Sequence, residues 1–224
     1  MPFRPLPTTF TDQLSKLNPE TDTVLELGSG EGHFKALVEA QGLHCLGLDL
    51  RHPVGGVVSD VVGDARRAPI RPGSLKILVA ANLVRHIAPR QRLGEFVLAW
   101  RRLLKPDGQL FIFEDEPSQA PPAERNFRDL QAFLAQMMPE SRGPLMSLER
   151  FRQTVGAEAK REGWNFGFQR NEETLNATEV MRFLSAGAGA QVGAVAKLVR
   201  AIGRDGLDPG QFWWAQVGAA EIED

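Results

Sequence analysis

Val24-Leu25-Glu26-Leu27-Gly28-Ser29-Gly30-Glu31-Gly32 runs from an apolar strand pattern straight into a glycine-rich turn. Phe34, Leu37 and Val38 follow at helical spacing and Gly42 supplies a stop, so the unit reads strand–turn–helix. Glycines in such a turn let backbone approach a ligand closely. In a doubly wound sheet the turn opens at the carboxyl edge of the strands, where ligands bind. A dinucleotide fingerprint wants G-x-G-x-x-G. Here the third glycine comes one residue early and His33 occupies the dinucleotide position.

Outward from this turn, short apolar strands alternate with helical patterns. Leu46–Leu50 reads as a second strand, with Asp49 near its end placed to accept from ribose hydroxyls. Val61–Asp64 is a third strand and Leu75–Ala81 a fourth, entered through Pro72-Gly73. Leu93, Phe96, Val97, Trp100 and Leu104 share a helix face that stops at Lys105-Pro106-Asp107-Gly108, and Gln109–Glu114 is a fifth strand. Upstream, Phe10, Leu14 and Leu17 predict a short helix ending near Asn18-Pro19. This alternation is the signature of βαβ units around a buried parallel sheet with right-handed crossovers.

The last third differs. Phe127, Leu130, Phe133 and Met137 predict one helix, Leu148–Arg161 a second, and Val180, Met181 and Leu184 begin another helical stretch. Val192, Val195, Val199 and Ile202 share a later helix face, and Ala186–Ala190 reads as a hinge. Trp164, Phe166 and Phe168 alternate as in a strand, and Phe212–Val217 closes as another. The expectation is an α/β, doubly wound, mostly parallel sheet with an antiparallel C-terminal edge. It forms a single domain over 1–224: a ligand-binding core over 20–117, then helical insertions and last strands over 118–224 that shape a substrate site.

Composition sets outer limits. The 224 residues suffice for one sizeable core. No apolar run approaches the ~20 residues of a membrane span, and the N-terminal stretch lacks a signal-peptide core, so a cytoplasmic protein without a membrane partner is expected. Cys45 is the single cysteine, which excludes an internal disulfide and reads as a buried strand residue. No cluster has clear metal-ligand spacing, so no metal is expected. A net charge of −2 argues against nonspecific nucleic-acid binding. Yet residues 65–106 hold ten basic side chains against one acid, Glu95, a pattern fitting solvated helix faces or a patch for an anionic substrate.

Five pieces in order carry a resemblance: LELGSGEG at 25–32, LGLDL at 46–50, GDARRAPI at 63–70, ANLVRHI at 81–87 and LLKPDGQLFIFEDEP at 103–117. Together the chain resembles the class I S-adenosylmethionine (SAM)-dependent methyltransferases, most closely the type 11 group. The resemblance covers residues 23–116. It implies SAM as cofactor and S-adenosylhomocysteine as product, with Glu26, Gly28, Ser29, Gly30 and Gly32 around the methionine part. It places Asp49 and Leu50 at the ribose, Asp64 and Ala65 at the adenine, and Asn82 beside the sulfonium. Carboxylates and carbonyls suit a ligand with ammonium and sulfonium charges better than a phosphate cradle does. Two departures stand out. Only the thirteen residues 50–62 separate Asp49 from Gly63, where the family places a full helix, and Lys76 stands where relatives often carry an aspartate.

The acceptor side is less specified. Methyl transfer is an in-line displacement governed by alignment, and a base is needed only for a protonated, weakly acidic nucleophile. His86 and Glu114 are the candidate bases. Arg85 and Arg90 are candidates for an acceptor carboxylate or phosphate, or else surface arginines. Phe127, Phe133, Met137, Met138 and Trp164 are candidates for an apolar acceptor wall, or else core. The leading expectation is a small-molecule methyltransferase. The alternatives are an RNA or protein methyltransferase using the arginine-rich stretch, and a regulatory protein that binds SAM without turnover. A nicotinamide oxidoreductase is disfavoured by the glycine spacing.

Overall fold

A computed structural model describes residues 6–50, 60–87, 92–118, 121–137, 143–156, 163–171, 177–178, 180–181 and 192–219, without the side chains of His33 and Val192. The elements in chain order are α1 (Thr8–Leu14), β1 (Thr23–Leu27), α2 (His33–Glu39), β2 (His44–Asp49), β3 (Val61–Val62) and a 3-10 turn (Ala65–Arg67). Then come β4 (Leu75–Ala81), a second 3-10 turn (Val84–His86), α3 (Leu93–Arg101), β5 (Leu104–Asp115) and α4 (Pro122–Met137). The last are α5 (Leu148–Val155), β6 (Asn165–Arg170), α6 (Val192–Asp205) and β7 (Gln211–Gly218).

The strands form one seven-stranded sheet in the order β3-β2-β1-β4-β5-β7-β6. β1 pairs in parallel with β2 and β4, β2 with β3, and β4 with β5, whereas β7 runs antiparallel to β5 and to β6. The predicted mostly parallel sheet with an antiparallel C-terminal edge is thus the observed one. Strand order reverses direction between β1 and β4, which makes the carboxyl ends of these two strands the switch point where such sheets bind ligands.

Alternation along each strand feeds two cores. Leu25, Leu27, Leu78, Leu110, Ile112 and Trp213 pack with Trp100 of α3 and Phe151 of α5. Val24, Ile77, Phe111, Phe113 and Phe212 pack with Phe10 of α1 and Phe34 of α2 on the other face. A third cluster joins α4 to α6 through Phe127, Leu130, Leu134, Val195, Leu198 and Ile202.

Several boundaries differ from the sequence reading. β5 starts at Leu104, because Leu104 pairs with Leu75 and a register shift between Leu75 and Ile77 absorbs the Pro106–Gly108 stretch that reads as a stop. β2 starts at His44 and ends at Asp49, leaving Leu50 beyond it and 63% exposed. β3 has only two residues, so Gly63 and Asp64 lie past its end. Trp164 precedes β6 rather than opening it. The hinge at 186–190, Leu184 and most of the short link after Asp49 fall outside the described residues.

Candidate active site

The β1–α2 turn sits at the switch point. Gly28, Gly30 and Gly32 all have positive φ, at 70°, 50° and 74°. Gly28 needs to be glycine twice over: its φ is left-handed, and a Cβ there would lie 2.7 Å from Leu83 Cδ1. The turn is fastened to β2, since the N–H groups of Gly28 and Ser29 both donate to Leu48 O, at 2.7 and 3.1 Å. Gly30 lies on the open side, where an added Cβ would meet nothing nearer than Gly28 O at 4.0 Å.

Two carboxylates flank this open face. Asp49 ends β2, and its Oδ2 accepts from Gly30 N–H at 2.9 Å, which fixes the turn against the strand end. Glu26, on β1, is 4% exposed and accepts from Lys35 N–H in α2 at 3.1 Å. Burial pushes its carboxyl from the ordinary 4.5 up to about 8, the Lys35 N–H opposes this, and the charge of nearby Asp49 adds to it. Below the turn, Asp60 accepts from Gly47 N–H at 2.7 Å and from Lys35 Nζ at 2.9 Å. Asp60 therefore ties the end of the link after β2 back to β2 and α2.

On the β3 side, Asp64 caps the 3-10 turn at Ala65–Arg67. Its Oδ1 accepts from Arg66 N–H at 2.9 Å, and the Arg66 guanidinium beside it holds its carboxyl below the usual range. Ala65 is buried, and its carbonyl accepts from Trp100 Nε1 at 2.7 Å. Across the switch point, Asn82 follows β4 with φ 54°, the one non-glycine with positive φ among the described residues. Asparagine tolerates that conformation, and its N–H donates to Phe113 O at 2.7 Å. Backbone strain of this kind clusters at ligand sites.

Of the two candidate bases, Glu114 belongs to a buried cluster and half-buried His86 lies beside it. Glu114 and Asp115 are both 0% exposed at the carboxyl end of β5, and Arg85 is 5% exposed between them. Arg85 N–H donates to Glu114 Oε1 at 3.2 Å, and its Nη1 lies 3.3 Å from Asp115 Oδ2. His86 Nδ1 accepts from Gly143 N–H at 2.9 Å. A neutral imidazole has one lone pair for this purpose, so the proton sits on Nε2. The 3.3 Å approach of Arg85 Nε to Nε2 is then a contact and not a hydrogen bond. Arg85 thus serves the fold's own carboxylates, not an acceptor anion. Arg90 and Met138 lie outside the described residues.

The basic stretch breaks up in the same way. Arg66 pairs with Asp64, Lys76 with Asp107, Arg92 with Glu95 and Lys105 with Asp22, while Arg101 donates to the carbonyls of Gly218 and Ala219. Arg67, Arg71 and Arg102 are exposed and make no ion pair among the described residues. The apolar acceptor wall is not assembled as a unit. Phe127 and Phe133 belong to the α4–α6 cluster, Met137 is 44% exposed, and Trp164 packs against the β-sheet core, stacking on Phe166.

Asp60, Leu83, Lys35 and the Arg85 cluster escaped the sequence reading. A regular spacing signal exists only for Lys35, which falls on the inner face of α2.

Comparisons with known proteins agree with this architecture. A methyltransferase-domain family of type 11 matches residues 25–112. An uncharacterized methyltransferase of Mycolicibacterium gilvum is 32% identical over 95 residues, 38% of this chain and 36% of that protein. The match therefore spans about a third of the relative's length. Among solved structures, a SAM-dependent methyltransferase from Archaeoglobus fulgidus superposes with TM-score 0.57 at 17% identity, covering 93% of this chain and 90% of that one. The YcgJ protein from Bacillus subtilis gives 0.59 at 15% identity, with 94% and 100% covered. Phosphoethanolamine N-methyltransferase 2 of Haemonchus contortus, solved with SAM, gives 0.51 at 16%, covering 94% of this chain and 53% of that one. At such identities these structures speak to the fold alone, and the family match spans the stretch that holds the glycine turn. Residues 25–112 thus match a methyltransferase domain, and the sheet that contains them has the fold of the SAM-dependent methyltransferase structures.

Proposed function

We propose that the protein transfers a methyl group from SAM to a small-molecule acceptor in a cytoplasmic setting. The observation that carries the reading is the open glycine turn flanked by Asp49 and the buried Glu26 at the switch point of the sheet. The donor set fits SAM: two carboxylates face the turn, and the Lys35 ammonium near it is taken up by Asp60 and Glu39, as suits a cation rather than a pyrophosphate. Glu26 and the turn from Gly28 to Gly32 would hold the methionine part, Asp49 and Leu50 the ribose, Asp64 and Ala65 the adenine, and Asn82 the sulfonium end. SAM supplies an electrophilic methyl on sulfur. The chain's part is to align an acceptor with it and to exclude water.

In this arrangement Glu114 and His86 are already engaged, by Arg85 N–H and Gly143 N–H. That favours an acceptor whose nucleophile needs no base, with the two residues shaping the acceptor side. The pairing of most of the basic stretch disfavours an RNA acceptor. Calorimetric titration of the ligand-stripped protein tests the cofactor. Low-micromolar binding of SAM and S-adenosylhomocysteine is expected, with no heat for NAD, and a folded sample that ignores SAM would sink the reading.

Glu26 makes a second expectation. Its folded value, about 8, exceeds the ordinary 4.5, so the ligand-free fold holds this proton more tightly than the unfolded chain. Glu26 therefore subtracts stability as pH rises through that window. A bound ammonium favours the ionised carboxylate, so SAM binding releases the proton. The Kd for SAM should fall as pH rises toward 8, by up to about tenfold per unit, and level off above it. In Glu26→Gln the dependence should flatten, and calorimetry at pH 7 in buffers of different ionisation enthalpy should lose the proton release. A wild-type Kd that is constant between pH 6 and 8 would refute the role.

A further inference from the structure

Asn171 follows β6 at the carboxyl edge of the sheet. β6 runs in the same direction as β5, with β7 between them, and Arg170 lies opposite Gln211. Gln211 O accepts from Glu116 N–H at 3.0 Å, and Asn171 N–H donates to Gly210 O at 2.8 Å. Asn171 therefore stands on the same edge as Glu114 and Asn82, two strand spacings (about 10 Å) from the end of β5. It is 5% exposed, and its Nδ2 has no hydrogen-bond partner among the described residues.

A buried amide N–H without a partner is unusual, because it forfeits its hydration for nothing. Its polar neighbours are spoken for by one another. Arg170 reaches Glu124 Oε1 at 3.1 Å and Asp208 Oδ2 at 2.5 Å. Asp208 Oδ1 accepts from Gly210 N–H at 2.7 Å, and Asp208 N–H donates to Ala123 O at 3.2 Å in the first turns of α4. Gly210 is packed so closely on Glu124 that a Cβ would lie 2.8 Å from its carboxyl carbon. This knot holds β6, β7 and α4 in fixed relation and leaves one donor over.

We propose that Asn171 is a specificity residue of the acceptor site: its Nδ2 donates to an oxygen of the acceptor (carbonyl, carboxylate or hydroxyl) remote from the atom that is methylated. The inference rests on the methyltransferase reading, which supplies an acceptor at this edge. It selects small acceptors that carry such an oxygen well away from the methylated atom, since β6 lies three strand spacings (about 14 Å) from β4, which Asn82 follows.

The test uses the full chain and Asn171→Leu, a near-isostere without the donor. Thermal unfolding of the ligand-free proteins should show a Tm higher by about 2–4 °C in the variant, since an unsatisfied buried donor has been removed. A lower Tm would mean that the amide is satisfied within the fold, and overturns the proposal. In parallel, the side-chain amide signal of Asn171 in 15N-labelled wild type is assigned by its loss in the variant. It should shift when acetate or N-methylacetamide is added to the S-adenosylhomocysteine complex. No shift with either probe overturns the proposal alone, whereas a wild type that binds no S-adenosylhomocysteine overturns the methyltransferase reading beneath it.

Discussion

Arg85→Met is expected to cost about 3–5 kcal/mol of stability, the range for removing one partner of a buried ion pair. For a chain of this length that is a Tm loss of about 10 °C. Methionine nearly matches the apolar stem of arginine, so packing changes little and the effect reports the charge. Glu114 and Asp115 are fully buried, and the guanidinium that both of them meet is gone. The main-chain bond from residue 85 to Glu114 Oε1 survives the substitution, which separates the side chain's part from the backbone's. The diagnostic is the combination Arg85→Met/Glu114→Gln/Asp115→Asn. Neutral amides do not need the cation, so half or more of the lost Tm should return. A single variant that loses less than about 1 kcal/mol in urea unfolding would show that the cluster is not held by Arg85.

The same cluster marks where the sequence runs out. Strands β1 and β4 are legible to the residue because their apolar runs are bounded by a turn on each side, and the candidate residues beside them, Glu26 and Asn82, come from the family resemblance that those stretches carry. Asp49 and Asn82 are strand-end residues, and strand ends at a switch point are where a ligand lies. Arg85 reads as a surface arginine because nothing local reveals burial. Its partners come from β5, about thirty residues on, and only the sheet brings them together. Asp60 is invisible for a similar reason, as its bonds to Gly47 and Lys35 close a link with no periodic pattern. β5 is underestimated because Pro106 and Gly108 mark a turn by composition, while the register shift opposite Leu75 lets the chain stay paired. Asn171 and Glu124 meet through Gly210, a contact that no spacing rule encodes.

Asp49→Ala is expected to weaken SAM binding by roughly 100-fold or more while the protein stays folded. Charge-assisted hydrogen bonds are worth about 1.5–3 kcal/mol each. Two ribose hydroxyls on one carboxylate therefore account for at least about 3 kcal/mol, or two orders of magnitude in Kd. In the fold itself the bond from Gly30 N–H to Oδ2 is lost, a cost of about 1 kcal/mol. Asp49→Asn keeps an oxygen for Gly30 but carries no charge and has only one accepting atom, so it should fall between, near tenfold. Calorimetric titration with SAM beside a thermal melt separates the two effects, and a Kd within threefold of wild type would remove Asp49 from the site. The alanine variant also acts on its neighbour. The charge of Asp49 helps to raise the Glu26 carboxyl, so without it Glu26 ionises at lower pH. The pH at which the residual SAM affinity levels off should therefore drop below 8 in Asp49→Ala. That displacement would connect the two carboxylates energetically, something a simple loss of ribose contacts cannot produce.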